Sequence, residues 1–347
     1  MFKIGDFQFD NDSPALIIAE LSANHNGDLN IAIETIRAAK RAGADAIKLQ
    51  TYTADTITLD SRKDDFKIDQ GTVWDGKFLY DLYKEAYTPW EWHKVLFETA
   101  KEEGLLCFSS PFDNSAVDFL ETLNVPAYKI ASFEITDIPL ITYTASKQKP
   151  IILSTGIANY EDIKLALEAC RSVGNNQIAL LKCTSSYPAP IEEANMVMVK
   201  KLAEEFEVVS GLSDHTIGSI VPIVAVCNGA KIIEKHFIID RSIGGADASF
   251  SMNEGEFKEM VIAVRQAESA MGVISFEPTK KQKEGRNFSR SLYISKDLNE
   301  GEVVTEEHIR SVRPGYSLHP KHLKSLIGKT SMKDFTLGDR IKKEDFK

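Results

Sequence analysis

Short apolar runs alternate with amphipathic, helix-like segments along most of the chain. Eight of these runs have the length and the β-branched composition of buried strands. They are ALIIAE (15–20), DAIKLQ (45–50), LLCFSS (105–110), AYKIAS (127–132), PIILSTG (150–156), IALLKC (178–183), EVVSGLSDH (207–215) and KIIEKHF (231–237). Eight strands that alternate with helices over about 260 residues predict an α/β fold of the (β/α)8 TIM-barrel type.

A doubly wound open sheet is the structural alternative, since it also alternates strands with helices. Such sheets usually carry a G-x-G-x-x-G sequence after the first strand, and this chain has none. We therefore predict a barrel over residues 1–275.

The pattern changes after the helix predicted at residues 254–271. The segment FEPTKKQKEGRNFSRS is polar and basic, and it predicts a linker at residues 276–289. Residues 290–347 contain short strand-like runs and turn residues, which predict a small β-rich second domain near the lower size limit for folding. The sequence GKTS within it is not a phosphate loop, because the glycine required five positions earlier is Leu323.

Composition narrows the classes of function. The 43% apolar and 27% charged content are ordinary for a globular protein, and a net charge of -10 argues against nucleic acid or an anionic membrane as partner. We find no apolar run of the ~20 residues that a membrane span needs, and no secretory signal. Four scattered cysteines predict reduced thiols and a cytoplasmic location; they are Cys107, Cys170, Cys183 and Cys227.

Polar side chains end nearly every predicted strand, at the end of a barrel where enzymes carry their chemistry. Singly, each has an ordinary explanation, since a lysine reaches solvent and a serine caps the next helix. Together they predict a polar site with a positive floor for a phosphate or carboxylate, built on Lys48, Lys129 and Lys182. The other members are Glu20, Gln50, Ser110, Ser132, Glu134, Ser154, Ser213 and Glu234.

Two further features accompany this site. Gly156, in STGIAN, lets the chain approach a phosphate closely, although an ordinary turn explains it equally well. His215 and His236 close two consecutive predicted strands, so that their imidazoles could share a divalent ion with open positions for water and substrate. The alternative is two hydrogen-bonding histidines with no metal.

Several motifs together resemble the nonulosonic (sialic) acid synthases across essentially the whole chain. They are IAELSANHNGD, AIKLQTY, FSSPFD, YKIASFEITD, ILSTGIAN, SDHTIG and EKHF, and the tail resembles the antifreeze-like (SAF) domain of that family. ELSANHN and FLYDLYKEAYTPWEWH are most similar to the members that form pseudaminic acid.

The resemblance implies a condensation of phosphoenolpyruvate with an open-chain N-acylated amino sugar, in which phosphate leaves by C–O cleavage. It implies that His215 and His236 hold a divalent ion, commonly manganese, with magnesium or cobalt as alternatives. The resemblance assigns catalysis to Glu20, Glu134 and Lys129. It assigns the binding of phosphoenolpyruvate to Lys48, Gln50, Ser110, Lys129, Ser132, Ser154, Gly156, Lys182 and Ser213. It assigns the binding of the sugar to Thr184, Tyr187, Asp247, Phe288 and Arg313. It also implies a domain-swapped homodimer, with Arg313 entering the partner's barrel.

Two departures from the family pattern bear on the sugar. Many sialate-forming members have a Gly-Pro-Asp-His loop where this chain has Gly245 to Ala248, and asparagine where it has Thr184. We therefore expect 2,4-diacetamido-2,4,6-trideoxy-altrose as acceptor. The alternatives are N-acetylneuraminate or legionaminate synthesis, a metal-dependent aldolase without phosphoenolpyruvate, and an ice- or carbohydrate-binding protein.

Overall fold

The structure, a computed structural model, describes residues 2–10, 12–69, 71–72 and 74–347. The chain forms two compact units, Met1–Gly272 and Val273–Lys347, and each is described separately. Within the described ranges, we find no helix with the length and apolar character needed to cross a membrane.

The first unit is a closed barrel of eight parallel strands that follows a short antiparallel hairpin, so the predicted TIM-barrel fold is confirmed. The hairpin is β1 (Lys3–Ile4) and β2 (Phe7–Gln8). The barrel strands are β3 (Leu16–Glu20), β4 (Ala46–Thr51), β5 (Leu106–Pro111), β6 (Tyr128–Ile130), β7 (Ile151–Ser154), β8 (Ile178–Cys183), β9 (Val209–Asp214) and β10 (Ile232–His236). Pairing of β10 with both β9 and β3 closes the barrel.

Helices cover the outside of the barrel and bury apolar faces against the outward side chains of the strands. They are α1 (Leu29–Arg41), α4 (Trp90–Glu102), α5 (Asn114–Thr122), α6 (Ile138–Ser146), α7 (Tyr160–Ser172), α8 (Val197–Phe206), α9 (Ile220–Cys227) and α10 (Glu254–Met271). Two further short helices, α2 (Ala54–Ile57) and α3 (Leu79–Ala86), lie in the segment between β4 and α4 and pack against each other. The longest, α10, begins at a capping box in which Asn253 and Glu256 satisfy each other's backbone N–H groups.

Side chains alternate between the two faces of a strand, so the lumen is filled in layers. One layer is apolar and packs with Ile4 and Phe9 of the hairpin region; it contains Ile18, Ala46, Phe108, Ala127, Ile152 and Ile232. Two residues further along each of these strands, the inward side chain is polar: Glu20, Lys48, Ser110, Lys129, Ser154 and Glu234. The polar residues of the site therefore lie directly above a buried apolar layer.

The predicted strands run one or two residues too far at several carboxyl ends. Strand β6 stops at Ile130, and Ser132 lies instead in a 3-10 turn, Ser132–Glu134. His215 lies one residue beyond the end of β9. These residues belong to the loops at the barrel mouth, where backbone turns rather than pairing determine the direction of each side chain.

The second unit has a small antiparallel sheet of β11 (Ser291–Ile294) and β12 (Ile309–Val312). Its helices are α11 (Lys280–Gly285), which falls within the segment predicted as a linker, and α12 (Leu323–Leu326). Nine buried apolar residues form its core: Leu292, Ile294, Leu298, Val304, Ile309, Leu326, Phe335, Ile341 and Phe346. The predicted small β-rich domain is confirmed.

Candidate active site

A layer of four buried charges crosses the barrel lumen. Nζ of Lys48 lies 2.9 Å from Oε2 of Glu20 and 3.2 Å from Oε1 of Glu234. Nζ of Lys129 lies 3.6 Å from the same Glu234 oxygen. Removing charges from water is costly unless they are paired, so two ammonium groups and two carboxylates balance one another here.

Burial and ion pairing shift the pKa values of the charged groups in this layer in different directions. Burial opposes the charge of Lys48, but Glu20 and Glu234 outweigh it and raise the pKa of the amine. Burial lowers the pKa of Lys129, and Glu234 offsets this only in part. Burial also raises the pKa of Glu20 in spite of Lys48. Lys48 therefore holds its proton more firmly than an ordinary lysine, while the charged forms of Lys129 and Glu20 are less favoured than usual.

Neutral hydrogen-bonding groups surround the charged layer. Lys129 donates to Ser154 Oγ at 2.7 Å, and Ser213 Oγ donates to Glu234 Oε1 at 3.1 Å. The amide of Gln50 donates to Glu20 Oε1 at 2.9 Å. Separately, Lys48 Nζ lies 3.4 Å from Ser110 Oγ. These hydroxyl and amide groups supply donors for an anion that draws the lysines away from their carboxylates.

Gly156 follows the end of β7 and packs tightly against Ser132 and Ser185; we call these three residues the cradle. A Cβ added to Gly156 would lie 1.9 Å from Ser185 Oγ and 2.9 Å from Ser132 Cβ, so only glycine fits. The two serine hydroxyls are 2.7 Å apart. Ser185 is absent from the predicted set, because CTSSYP on its own reads as an ordinary serine-rich loop.

Among the predicted acids, Glu134 has the most unusual environment. Its Oε2 atom is buried and has no hydrogen-bond partner. Burial raises the pKa of this carboxyl to about 7, and the nearby Lys129 lowers it only in part. A carboxyl that titrates near neutrality can donate or accept a proton during turnover.

The two predicted metal ligands lie side by side, with ring centroids 5.4 Å apart. Nδ1 of His215 donates to the carbonyl of Thr184 at 2.9 Å, so that Nε2 carries the lone pair whenever the ring is neutral. Nδ1 of His236 is buried without a hydrogen-bond partner and lies 3.7 Å from Oδ2 of Asp247. Burial and the neighbouring His215 hold the pKa of His236 well below its usual value, so the neutral form of this ring is favoured.

These features fit a divalent ion held by two imidazole nitrogens. Across residues 2–10, 12–69, 71–72 and 74–347, no group of three or more His, Cys, Asp or Glu side chains is arranged to hold a metal. Two protein ligands leave most of the coordination positions to water or substrate, so the pair suits an exchangeable ion rather than structural zinc.

An aromatic wall borders the two imidazoles; it consists of Trp74, Tyr187 and Phe250. The Tyr187 ring lies 4.3 Å from that of His215, and the Phe250 ring lies 5.1 Å from that of His236. Tyr187 contacts both other members, with centroids 5.7 Å from Trp74 and 5.3 Å from Phe250. Sequence reasoning missed Trp74 and Phe250, since only the fold brings their distant segments together.

The loop after β10 is tied to the segments that follow the neighbouring strands β3 and β4. Ser22 Oγ donates to Asp247 Oδ2, and Gln50 Nε2 donates to Ser22 Oγ at 3.0 Å. Trp74 Nε1 donates to the carbonyl of Ala246 at 3.0 Å. The loop thus brings the predicted sugar ligand Asp247 to the rim of the charged layer.

One predicted member needs correction: Lys182 does not join Lys48 and Lys129. It lies on the same side of β8 as Ile178 and Leu180, which pack into the outer helix layer. Its ammonium donates to the carbonyl of Cys183 at 2.6 Å and to Thr184 Oγ1 at 3.3 Å. The prediction included Lys182 because it lies near the end of a strand, and it ignored the alternation of side chains between the two faces of that strand.

The remaining predicted sugar ligands, Phe288 and Arg313, belong to the second unit. Phe288 ends a 3-10 turn and is 72% exposed, and Arg313, just after β12, is also exposed. Gly315 N–H donates to the carbonyl of Asn287 at 3.0 Å, which brings the loops of Phe288 and Arg313 together within this unit.

The site combines buried cations, titratable carboxyls and two neighbouring imidazoles at the mouth of a (β/α)8 barrel. This combination is typical of an enzyme that acts on an anionic substrate. The chain belongs to the NeuB family, which it matches over residues 35–275, and residues 289–347 match the SAF domain. The resemblance to the nonulosonic acid synthases, which are phosphoenolpyruvate-dependent condensing enzymes, is therefore confirmed.

Three similar proteins illustrate this relationship. The chain is 50% identical to a pseudaminic acid synthase of Campylobacter jejuni, over 99% of this chain and 100% of the relative. It is 35% identical to an N,N'-diacetyllegionaminic acid synthase of Legionella pneumophila, over 94% and 92%. A solved spore coat polysaccharide biosynthesis protein of Bacillus subtilis superposes with a TM-score of 0.68 at 34% identity, over 100% and 99% of the chains.

Proposed function

We propose that this protein is a pseudaminic acid synthase. It condenses phosphoenolpyruvate with 2,4-diacetamido-2,4,6-trideoxy-altrose, in the open-chain aldehyde form, and releases phosphate. The observation that carries the proposal is the buried layer of Lys48, Lys129, Glu20 and Glu234 beside two imidazoles. The higher identity to a pseudaminic acid synthase (50%) than to a legionaminic acid synthase (35%) supports this acceptor.

Phosphoenolpyruvate binds in the polar layer. Lys129 faces its phosphate together with the cradle of Gly156 and the hydroxyls of Ser132, Ser154 and Ser213. Lys48 faces its carboxylate together with Gln50 and Ser110. Both lysines then exchange a protein carboxylate for a substrate anion, and preorganised donors of this kind usually supply the largest catalytic contribution.

The reaction forms one C–C bond and breaks one C–O bond. Carbon 3 of phosphoenolpyruvate attacks the aldehyde carbon, and the aldehyde oxygen takes a proton from Glu134. Water adds to the electron-deficient carbon 2 and gives its proton to Glu20. Phosphate then leaves with the electrons of its bond to carbon 2 and takes the proton of the new hydroxyl, which becomes the ketone. The pKa of about 7 at Glu134 suits this proton transfer.

His215 and His236 would hold a divalent ion, manganese by our proposal, with magnesium or cobalt as alternatives. When bound, the ion polarises the aldehyde oxygen. Thr184 holds His215 through its carbonyl, and Asp247 lies beside His236. These contacts limit the movement of both imidazole rings.

The acceptor pocket favours a sugar with few hydroxyls. The aromatic wall offers apolar surface beside the imidazoles, and the small residues Thr184 and Ala248 replace polar or rigid groups found in many sialate-forming members. N-Acetylneuraminate and legionaminate synthesis remain the alternative functions.

We further propose a cytoplasmic, domain-swapped homodimer in which Arg313 and Phe288 serve the partner's barrel. Their exposure on one surface of the second unit supports this, and the four free cysteines fit a reducing compartment. The test mixes two inactive variants, Arg313→Ala and Lys129→Met. A swapped dimer regains activity in mixed dimers, because one composite site is then intact. An unswapped dimer, or a monomer, stays inactive.

The principal experiment measures phosphate release from phosphoenolpyruvate after EDTA treatment, with and without Mn²⁺, across a panel of amino sugars. We expect release that requires the metal and is fastest with the trideoxy diacetamido sugar. A markedly higher kcat/KM with N-acetylmannosamine would overturn the acceptor. Release of no phosphate with any sugar would overturn the synthase.

A further inference from the structure

Lys235 is a fully buried lysine that faces away from the barrel lumen. It lies on β10 between Glu234 and His236, and its side chain points to the side of the strand opposite to theirs. Its ammonium donates to the Asp214 carboxylate, at the end of β9, and to the carbonyl of Thr216 at 2.6 Å. The proposed reaction makes no use of this group.

Lys235 contacts the residues on both sides of His215, one of the proposed metal ligands. Asp214 and Thr216 are the residues on either side of His215. The other Asp214 oxygen accepts from the backbone N–H of Thr216 at 2.9 Å, which closes the turn around His215. Lys235 itself directly precedes His236. One ammonium group therefore ties the backbone that carries one imidazole to the backbone that carries the other.

We infer that Lys235 is a positioning residue that sets the spacing of His215 and His236 for a divalent ion. The inference deepens the proposed function, since it rests on the metal site of that proposal. The physical reason is that a site with only two protein ligands has no third side chain to correct a misplaced ring. Metal sites require ligands held within about 0.5 Å of the productive geometry.

Stability alone is a weak explanation for this ion pair. Asp214 and Lys235 are 2% and 1% exposed, so both charges are desolvated. Replacing a buried ion pair by apolar residues of similar volume is often neutral or stabilising. An apolar pair would fill the same space between β9, β10 and the helix layer, but it could not bond the carbonyl of Thr216.

A comparable but more exposed pair, Arg265 with Asp45, lies at the opposite end of the barrel; its side chains are 31% and 32% exposed, against 1% for each of Lys235 and Asp214. Arg265 donates to Asp45 Oδ2 at 2.8 Å and to the carbonyl of Ala15 at 2.8 Å. Asp45 and Ala15 precede the adjacent strands β4 and β3. This cation therefore also joins a carboxylate and a carbonyl on neighbouring strands, but at the end of the barrel away from the histidines.

The test measures Mn²⁺ binding alone, without phosphoenolpyruvate or sugar, by titration calorimetry and by the electron paramagnetic resonance signal of free Mn²⁺. We expect Lys235→Met to weaken Mn²⁺ binding about tenfold or more, as for other residues that orient metal ligands. Arg265→Met should lower stability and leave the Mn²⁺ dissociation constant unchanged. The double variant Lys235→Met with Asp214→Leu should regain thermal stability but not Mn²⁺ affinity.

Two results would overturn the inference while leaving the proposed function intact. One is unchanged Mn²⁺ affinity in a folded Lys235→Met variant. The other is recovery of affinity together with stability in the double variant, which would make the role purely structural. A wild-type protein that binds no Mn²⁺ would overturn both the inference and the metal site on which it rests.

Discussion

Lys48 and Glu20, on the adjacent strands β4 and β3, form a buried ion pair with 2.9 Å between Nζ and Oε2. The pair lies directly above the apolar layer of the barrel, and Glu234 contacts the same ammonium from β10. Without phosphoenolpyruvate, the two carboxylates neutralise the cation. The same contacts hold Lys48 in place for an incoming anion, so stability and substrate binding depend on one side chain.

We predict that Lys48→Met removes both properties. Two carboxylates would remain buried without this cation, and breaking a buried pair in this way typically costs about 3–5 kcal/mol. The free energy of unfolding, measured in urea, should fall by this order, and calorimetry should detect no binding of phosphoenolpyruvate.

The control for this variant is Lys149→Met. Lys149 pairs with Glu121 at 2.8 Å, but both side chains are partly exposed. Exposed pairs contribute about 1 kcal/mol or less, so the loss of stability should be small and binding of phosphoenolpyruvate should be unchanged. Equal effects of the two substitutions would contradict the central place given to Lys48.

A second prediction concerns the cradle at Gly156. In Gly156→Ala, the new Cβ would overlap Ser185 Oγ and press on Ser132, so both hydroxyls must shift. We expect KM for phosphoenolpyruvate to rise about tenfold. A displacement of about 1 Å in a group that positions the substrate can reduce activity by far more than this factor. Steady-state kinetics at saturating sugar measure the effect.

Gly255→Ala is the matched control for the cradle. Gly255 lies in the first turn of α10, and the nearest atom to an added Cβ is 3.5 Å away. Alanine is favoured over glycine inside a helix, so this variant should be at least as stable as the wild type and kinetically unchanged. A normal KM in Gly156→Ala would remove the cradle from the phosphate site.

Alternation along the strands explains why much of the site was predictable. Once the strands are placed, Glu20, Lys48 and Lys129 must face the lumen, because each lies two residues beyond an inward apolar residue. The same rule excludes Lys182, and applying it strictly would have prevented that error.

Other members of the site were beyond the reach of sequence patterns. Trp74 and Phe250 lie in loops that follow different strands, and their contact with Tyr187 depends on how those loops fold. No period or motif encodes such a contact. The environment of Glu134 is similarly invisible, since its burial depends on the 3-10 turn that replaces the predicted end of β6.

The titration of Glu134 gives a third prediction, for the ligand-free protein. Its pKa is raised by burial from 4.5 to about 7. Between these values the folded state keeps a proton that the unfolded state releases, so the carboxyl destabilises the fold as pH rises from about 4.5 to about 7. The full difference corresponds to about 3 kcal/mol.

Glu134→Gln should remove this dependence, because the amide does not ionise. Relative to the wild type, the variant should be more stable by up to about 3 kcal/mol at about pH 8, with little difference at about pH 4. Urea unfolding at several pH values measures the difference. A constant difference between the two proteins across this range would show that the Glu134 carboxyl does not titrate as described.

The fourth prediction tests whether the aromatic wall selects the acceptor. Trp74→Leu keeps an apolar side chain but removes the ring beside Tyr187 and the hydrogen bond to Ala246. We expect kcat/KM for the trideoxy sugar to fall about tenfold, since a missing apolar contact costs about 1–3 kcal/mol. KM for phosphoenolpyruvate should not change, because the wall lies on the histidine side of the mouth.

Trp90→Leu provides the comparison, because Trp90 is also partly buried and donates Nε1 to a carbonyl, that of Tyr52 at 3.2 Å. Its ring stacks on Phe119 in the helix layer, 4.8 Å away. This variant should lose stability without a change in the ratio of kcat/KM between the trideoxy sugar and N-acetylmannosamine. If both tryptophan variants shift that ratio equally, the wall acts through general packing; if only Trp74→Leu shifts it, the ring contributes directly to the choice of sugar.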